Sequence, residues 1–191
     1  MPTKNESLPD CLYSAAQVRE LDRIAIQDLG IPGYSLMQHA AAFSYEVLKK
    51  HWPDANSIVV ICGGGNNAGD GYVLARLAMD DGKQVSVVNL FDPAKLKGDA
   101  ATAYKDLNDP NKILATFSTS LTEQADVIVD AMFGTGLDRN IEGELSDVIA
   151  EINASATPVM SIDIPSGLNA DTGVIMNQAV NAEITATFIG L

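Results

Sequence analysis

Three short segments carry the residues that could do chemistry: Gly63-Gly-Gly-Asn-Asn-Ala-Gly-Asp-Gly71, Asp130-Ala-Met-Phe-Gly-Thr-Gly-Leu-Asp-Arg-Asn140 and Ser161-Ile-Asp-Ile-Pro-Ser-Gly167. The first sets Asn66, Asn67, Ala68, Gly69 and Asp70 in a glycine-rich turn. Amides and a carboxylate placed there offer donors and oxygen ligands beside a helix N-terminus. The spacing Gly63-x-Gly65-x-x-Ala68 fits a relaxed dinucleotide fingerprint. The acidic residue expected about 20 positions on is absent, however. Asp70 stands where a P-loop needs lysine. A tight turn that simply requires glycine is the plain alternative. In the second segment Asp130 closes an apolar run, so its carboxylate is either a cap for loop amides or a cation ligand. Gly134 and Gly136 permit close backbone approach to a phosphate, and Arg139 is the only nearby base. In the third, Asp163 is either a backbone cap or a functional carboxylate, with Pro165 and Gly167 fixing the turn. Asn67, Asp130, Asp163 and Ser166 are all oxygen-bearing, which favours a hard cation over zinc.

Hydrophobic runs must position these segments. Ser14 and Gln17 form a capping box, and Val18, Leu21, Ala25 and Leu29 then recur at helical spacing up to Gly30. A helix is predicted over Ser35–His51, with Leu36, Ala40, Phe43 and Val47 on one face and Met37, Ala41 and Leu48 beside it. Ile58–Cys62 reads as a buried parallel strand, followed by a helix that ends near Gly82. Strands are predicted at 85–90, 113–117, 126–132, 158–162 and 182–188, and helices at 94–107 and 143–153. Strand and helix alternate, which gives a three-layer α/β/α, Rossmann-like fold with a mostly parallel open sheet. The three segments then lie at the C-terminal ends of strands, where open sheets bind ligands. His39 and His51 read as structural, and Cys62 as an inert core thiol.

Composition narrows the functional classes. The 191 residues are 47% hydrophobic and 19% charged, as for a globular domain. A formal charge of −13 excludes a broadly basic nucleic-acid surface. No run approaches the ~20 apolar residues of a membrane span. The polar N-terminus lacks a secretory core, and two cysteines make no disulfide framework, so a cytoplasmic protein is expected. Residues 1–191 read as one domain. The chain ends three residues after Phe188, which suggests a piece of a longer protein.

The segments together resemble the signatures of the NAD(P)H-hydrate epimerase family, the YjeF N-terminal domain. The matching stretches are Asn66–Gly71, Asp130–Gly136 and Asp163–Gly173, with Leu12–Gln17, Leu29–Gly33 and Lys97–Ala100 in support. Ala68 stands where the family usually has glycine, and Gln38-His39 departs from its pattern. The resemblance implies interconversion of the R and S forms of hydrated NADH or NADPH at C6 of the nicotinamide ring. It implies potassium held by Asn67, Asp130 and Ser166. It implies substrate contacts from Asn66, Asn67, Ala68, Gly69, Asp70, Gly134, Thr135, Gly136, Leu137, Asp138, Arg139, Asn140 and Asp163. An ATP- or ADP-dependent dehydratase is implied as partner or as a following domain.

C6 is a hemiaminal carbon, so loss of hydroxide or ring opening makes it planar, and re-addition from the other face inverts it. That needs an acid that becomes a base, and Asp163 is the expected group. Asp70 is expected to cap its helix, and Asp138 to lie in the outer part of its loop. A dehydrogenase and a non-catalytic dimerising scaffold are the competing readings. The two apolar faces of the second helix suggest a homodimer.

Overall fold

The computed structural model describes residues 13–107, 113–114 and 117–188. Helix α1 (Ala15–Arg23) starts with the expected capping box and passes into a π-helical turn, Ile24–Asp28. There follow α2 (Gly33–His51), β1 (Ser57–Cys62), α3 (Asn66–Asp80) and β2 (Gln84–Asn89). A 3₁₀ turn (Pro93–Lys95) leads to α4 (Gly98–Asp106) and β3 (Ile113–Leu114). The remaining elements are α5 (Thr119–Glu123), β4 (Val127–Ala131), α6 (Glu144–Ala154), β5 (Val159–Ile162) and β6 (Ile184–Ala186).

The six strands lie in the order β3-β2-β1-β4-β5-β6, and every pairing is parallel. Alternation along β1 sends Ile58, Val60 and Cys62 into one apolar layer and Val59 and Ile61 into the other. Met37, Tyr45, Leu48, Tyr72 and Leu74 from α2 and α3 cover the first face. Ile149 and Ile152 of α6 cover the second. The three-layer reading therefore holds, with a sheet buried on both faces. The strand order reverses between β1 and β4, which opens a crevice outside their carboxyl ends.

Several local expectations give way. The 94–107 segment is not one helix: Pro93–Lys95 is a separate turn, and Gly98, at φ +55°, opens α4. A left-handed residue is tolerated at a helix start but not within one. The strand expected at 113–117 shrinks to a two-residue edge, with 115 and 116 outside the described residues. The last strand contracts to three residues. Helix α5 was not expected, and α2 begins at Gly33 rather than Ser35. The core face of α2 is Met37, Ala41, Ser44, Tyr45 and Leu48. Phe43, assigned to the main apolar face, is exposed and meets Phe188 edge-on. His39 and His51 are both exposed, so they pack into no core. No helix among the described residues is long and apolar enough to cross a membrane.

Candidate active site

Parallel register builds the base of the site. Asp130 of β4 pairs with Ser161 of β5, so both side chains project from the same face of the sheet. Ser161 Oγ donates to Asp130 Oδ2 at 2.8 Å, and the Ser166 amide donates to the same oxygen at 2.9 Å. Ser166 Oγ donates to Oδ1 at 2.6 Å, and the Met132 amide reaches Oδ1 at 3.2 Å. Asp130, Ser161 and Ser166 are fully buried. Burial pushes the Asp130 carboxyl above its ordinary range, and its hydrogen bonds from Ser166, Ser161 and Met132 pull it back. Ser166 Oγ also accepts from the Phe133 amide at 2.9 Å. One carboxylate thereby staples the loop after β4 to the loop after β5. Further out, the Ile141 amide donates to Met176 O at 3.0 Å, and Asn177 Nδ2 donates to Ile141 O at 2.8 Å.

Asp163 stands where β5 ends. Its φ of +69° lies in the left-handed region, unusual for a residue other than glycine. Its amide is held by Ala186 O of β6 at 2.8 Å, so the sheet fixes this conformation. The Thr135 amide donates to Oδ2 at 2.8 Å, and no donor to Oδ1 is found among the described residues. Burial raises its pKa, bonds from Thr135 lower it, and the charge of Asp22 raises it again. A Cβ built on Gly134 would overlap the Asp163 carboxylate and stand 3.6 Å from Asn67 Cβ. Glycine at 134 is thus what allows the three loops to close together.

The third loop is the start of α3. Asn67 is only 8% exposed, and neither its Oδ1 nor its Nδ2 has a hydrogen-bond partner. Such orphaned groups are rare and mark a place where a ligand or ion completes the bonding. Asp70 does not cap the helix. The N-cap is Gly65, without a side-chain bond, and Asp70 lies a full turn inside. Its carboxyl is pushed well up, first by burial and then by the charges of Asp163 and Asp22. Ala68 is fully buried in the core, so its methyl is accommodated. Asn66, Gly136, Asp138, Arg139 and Asn140 are exposed, and Leu137 is half-buried. Arg139 makes no salt bridge among the described residues.

Sequence reasoning missed Ser161 and Asp22. Ser161 had a signal, a hydroxyl in the middle of a buried strand. Asp22, half-buried on α1, had none, being one polar residue of an amphipathic helix. The start of α1 is tied to the loop after β5 by the Ala15 amide donating to Asp171 Oδ1 at 2.7 Å.

The sheet order defines a Rossmann-type α/β protein, and the three clustered loops lie at its strand-order switch. The description "YjeF-related protein N-terminus" matches residues 33–191, and the chain belongs to that family. It is 39% identical over 175 residues to the NAD(P)H-hydrate epimerase of Limosilactobacillus fermentum, covering 92% of this chain and 84% of that protein. It is 41% identical over 178 residues to the bifunctional NAD(P)H-hydrate repair enzyme Nnr of Coxiella burnetii, covering 93% of this chain but 36% of that one. The crystal structure of yeast YNL200c superposes with a TM-score of 0.78 at 20% identity, over 92% of this chain and 79% of that one, which supports the fold.

Proposed function

We propose that Asp163 is the acid/base of an NAD(P)H-hydrate epimerase site at this strand edge. The chain is an isomerase of that kind by its similarity to the Limosilactobacillus epimerase. The observation that carries the assignment is the state of Asp163: a half-buried carboxylate at a strand end, held by Thr135 alone, whose amide donates to Oδ2. Its raised pKa favours the protonated form it needs as a donor. In that form it protonates the C6 hydroxyl of the hydrated ring as the C–O bond breaks, and the electron pair leaves with the oxygen as water. The ring nitrogen lone pair forms the C=N bond. Water adding to the planar carbon from the opposite face gives the other epimer; in the reverse direction Asp163, as carboxylate, accepts the proton of water adding on its own face. Thr135 and Gly134 hold Asp163 in place throughout.

The remaining loop residues are proposed as the binding surface. The backbone at Gly134, Thr135 and Gly136 is suited to the diphosphate, with Arg139, Asn140, Asp138 and Leu137 at the outer edge. Asn66, Asn67, Ala68, Gly69 and Asp70 form the facing wall. Asn67, Asp130 and Ser166 suit potassium in donor type, and the unpartnered Asn67 Oδ1 is an oxygen ready for it. Bound there, potassium would supply local positive charge in a protein of charge −13. Asp130 already accepts four hydrogen bonds, so the ion would share its oxygens with those donors. A thermal shift with potassium and none with lithium supports this site, and equal shifts with both would oppose it.

A dehydratase that consumes the S form is the proposed functional partner, since a relative of this chain is bifunctional. The half-buried Leu36, Ala40 and Val47 with the exposed Phe43 are proposed as a homodimer face, and light scattering checks it. The activity is tested by incubating the protein with one purified epimer and following appearance of the other. Formation no faster than in buffer would sink the assignment.

A further inference from the structure

Asp70 is a second acidic group at the site. It lies on α3 one turn beyond Asn67, so the two share a helix face. That face looks into the space bounded by Gly134 and Asp163, since Gly134 lies against both Asn67 and the Asp163 carboxylate. Asp70 is half-buried and accepts no hydrogen bond among the described residues. A carboxyl partly withdrawn from water and without a protein donor is left open to a proton or a ligand. Asn67, over nine-tenths buried and wholly unpartnered, independently marks the same space as one for a ligand.

The acids do not close on a single point. Among the described residues no group of three or more His, Cys, Asp or Glu side chains could hold a metal ion. Asn67, three residues before Asp70 on α3, and Asp163 both adjoin Gly134, so the two carboxyls come to this space from different elements, α3 and the end of β5.

Resting on the epimerase reading above, we propose that Asp70 is a second acid/base and that Asp163 and Asp70 serve opposite faces of the reacting carbon. One carboxyl, protonated, gives its proton to the C6 hydroxyl as the C6–O bond breaks and water departs on its side. The other, ionised, takes a proton from a water whose oxygen bonds C6 from its own side. Each inversion moves one proton from the first carboxyl to the second and exchanges the C6 hydroxyl oxygen for a solvent oxygen. Reaction in the reverse sense, or exchange with solvent, restores the starting state. No electron is gained or lost overall. Two carboxyls reaching one space from different elements are suited to passing a proton in on one side of the ring and out on the other.

The test follows oxygen and stereochemistry together, in water enriched in oxygen-18. In wild type, every molecule inverted should carry one solvent oxygen, and inversion that keeps the original oxygen overturns the proposal without any variant. Asp70→Asn retains shape but not the transferable proton. It should epimerise at least about 100-fold more slowly than wild type. It should still exchange the hydroxyl oxygen, with retention, in the one epimer whose hydroxyl faces Asp163. Asp163→Asn should show the mirror pattern, with exchange confined to the other epimer. Near-normal epimerisation by Asp70→Asn overturns the proposal, and so does equal loss of exchange and inversion in a folded variant. Failure of the epimerase reading itself is distinct: the wild type would then neither invert nor exchange either epimer above background.

Discussion

Asp130 and Asp163 end neighbouring strands of one sheet, yet their surroundings differ in kind. Asp130 is wholly buried and accepts four hydrogen bonds, two on each oxygen. Asp163 has one amide on Oδ2 and a left-handed backbone. Burial raises both carboxyls, but three residues, Ser161, Ser166 and Met132, hold Asp130 while Thr135 alone holds Asp163. A carboxylate with every lone pair engaged is a structural staple. One with an oxygen left over is available for proton transfer. The number of donors, not the residue type or its place in the strand, separates the two roles.

The largest stability effect should come from Asp130→Ala. It leaves the Ser161 hydroxyl and two amides buried without an acceptor, and the Ser166 hydroxyl with Phe133 O alone. Loss of about 3–5 kcal/mol is expected in denaturant unfolding, as when one member of a buried charged network is removed. A loss under about 1 kcal/mol would show that the staple contributes little. Gly134→Ala acts on the other carboxylate. Its Cβ would displace the Asp163 side chain, and turnover should fall roughly 100-fold, the usual consequence of a small misplacement of a reacting group. Unchanged turnover would mean that the position of Asp163 is uncritical. Ser161→Ala removes one of the four donors to Asp130, and about 1 kcal/mol of stability should go with it while turnover stays near normal.

Asp70→Asn sharpens the contrast through pH. The folded chain raises the Asp70 pKa, so this group favours folding below about pH 4, its ordinary range. That contribution is lost as pH rises through the raised folded value. Asp70→Asn should therefore melt higher than wild type at pH 7, and the difference should close on acidification to pH 3.5. A variant less stable than wild type at pH 7 would contradict the unpartnered state of Asp70.

Much of this arrangement was legible in the sequence. The apolar runs named β1, β2, β4 and β5, and the glycine-bearing segments fell at the ends of β1, β4 and β5 as expected. The hydrogen bonding of Asp130 was not legible, because it depends on register. Only the pairing of Asp130 with Ser161 shows that the carboxylate is fully engaged. Asp70 was misjudged as a cap because the glycine run hides where the helix begins. The turn ends at Gly65, which carries Asp70 a full turn into α3 and toward the site. Gly98 misled in the same way, since a glycine at the start of a helix reads like one inside it. The apolar faces of α2 were ambiguous because both are apolar, and packing on α3 and α4 decided between them.

Asp163→Asn tests the central assignment most directly. Asparagine tolerates the left-handed backbone, so fold and hydrogen-bond shape are retained while the transferable proton is removed. Conversion of a purified epimer at pH 7 should fall by about 10²–10⁴-fold in this variant, with substrate affinity little changed. Turnover within a few-fold of wild type would place the acid/base elsewhere and contradict the account.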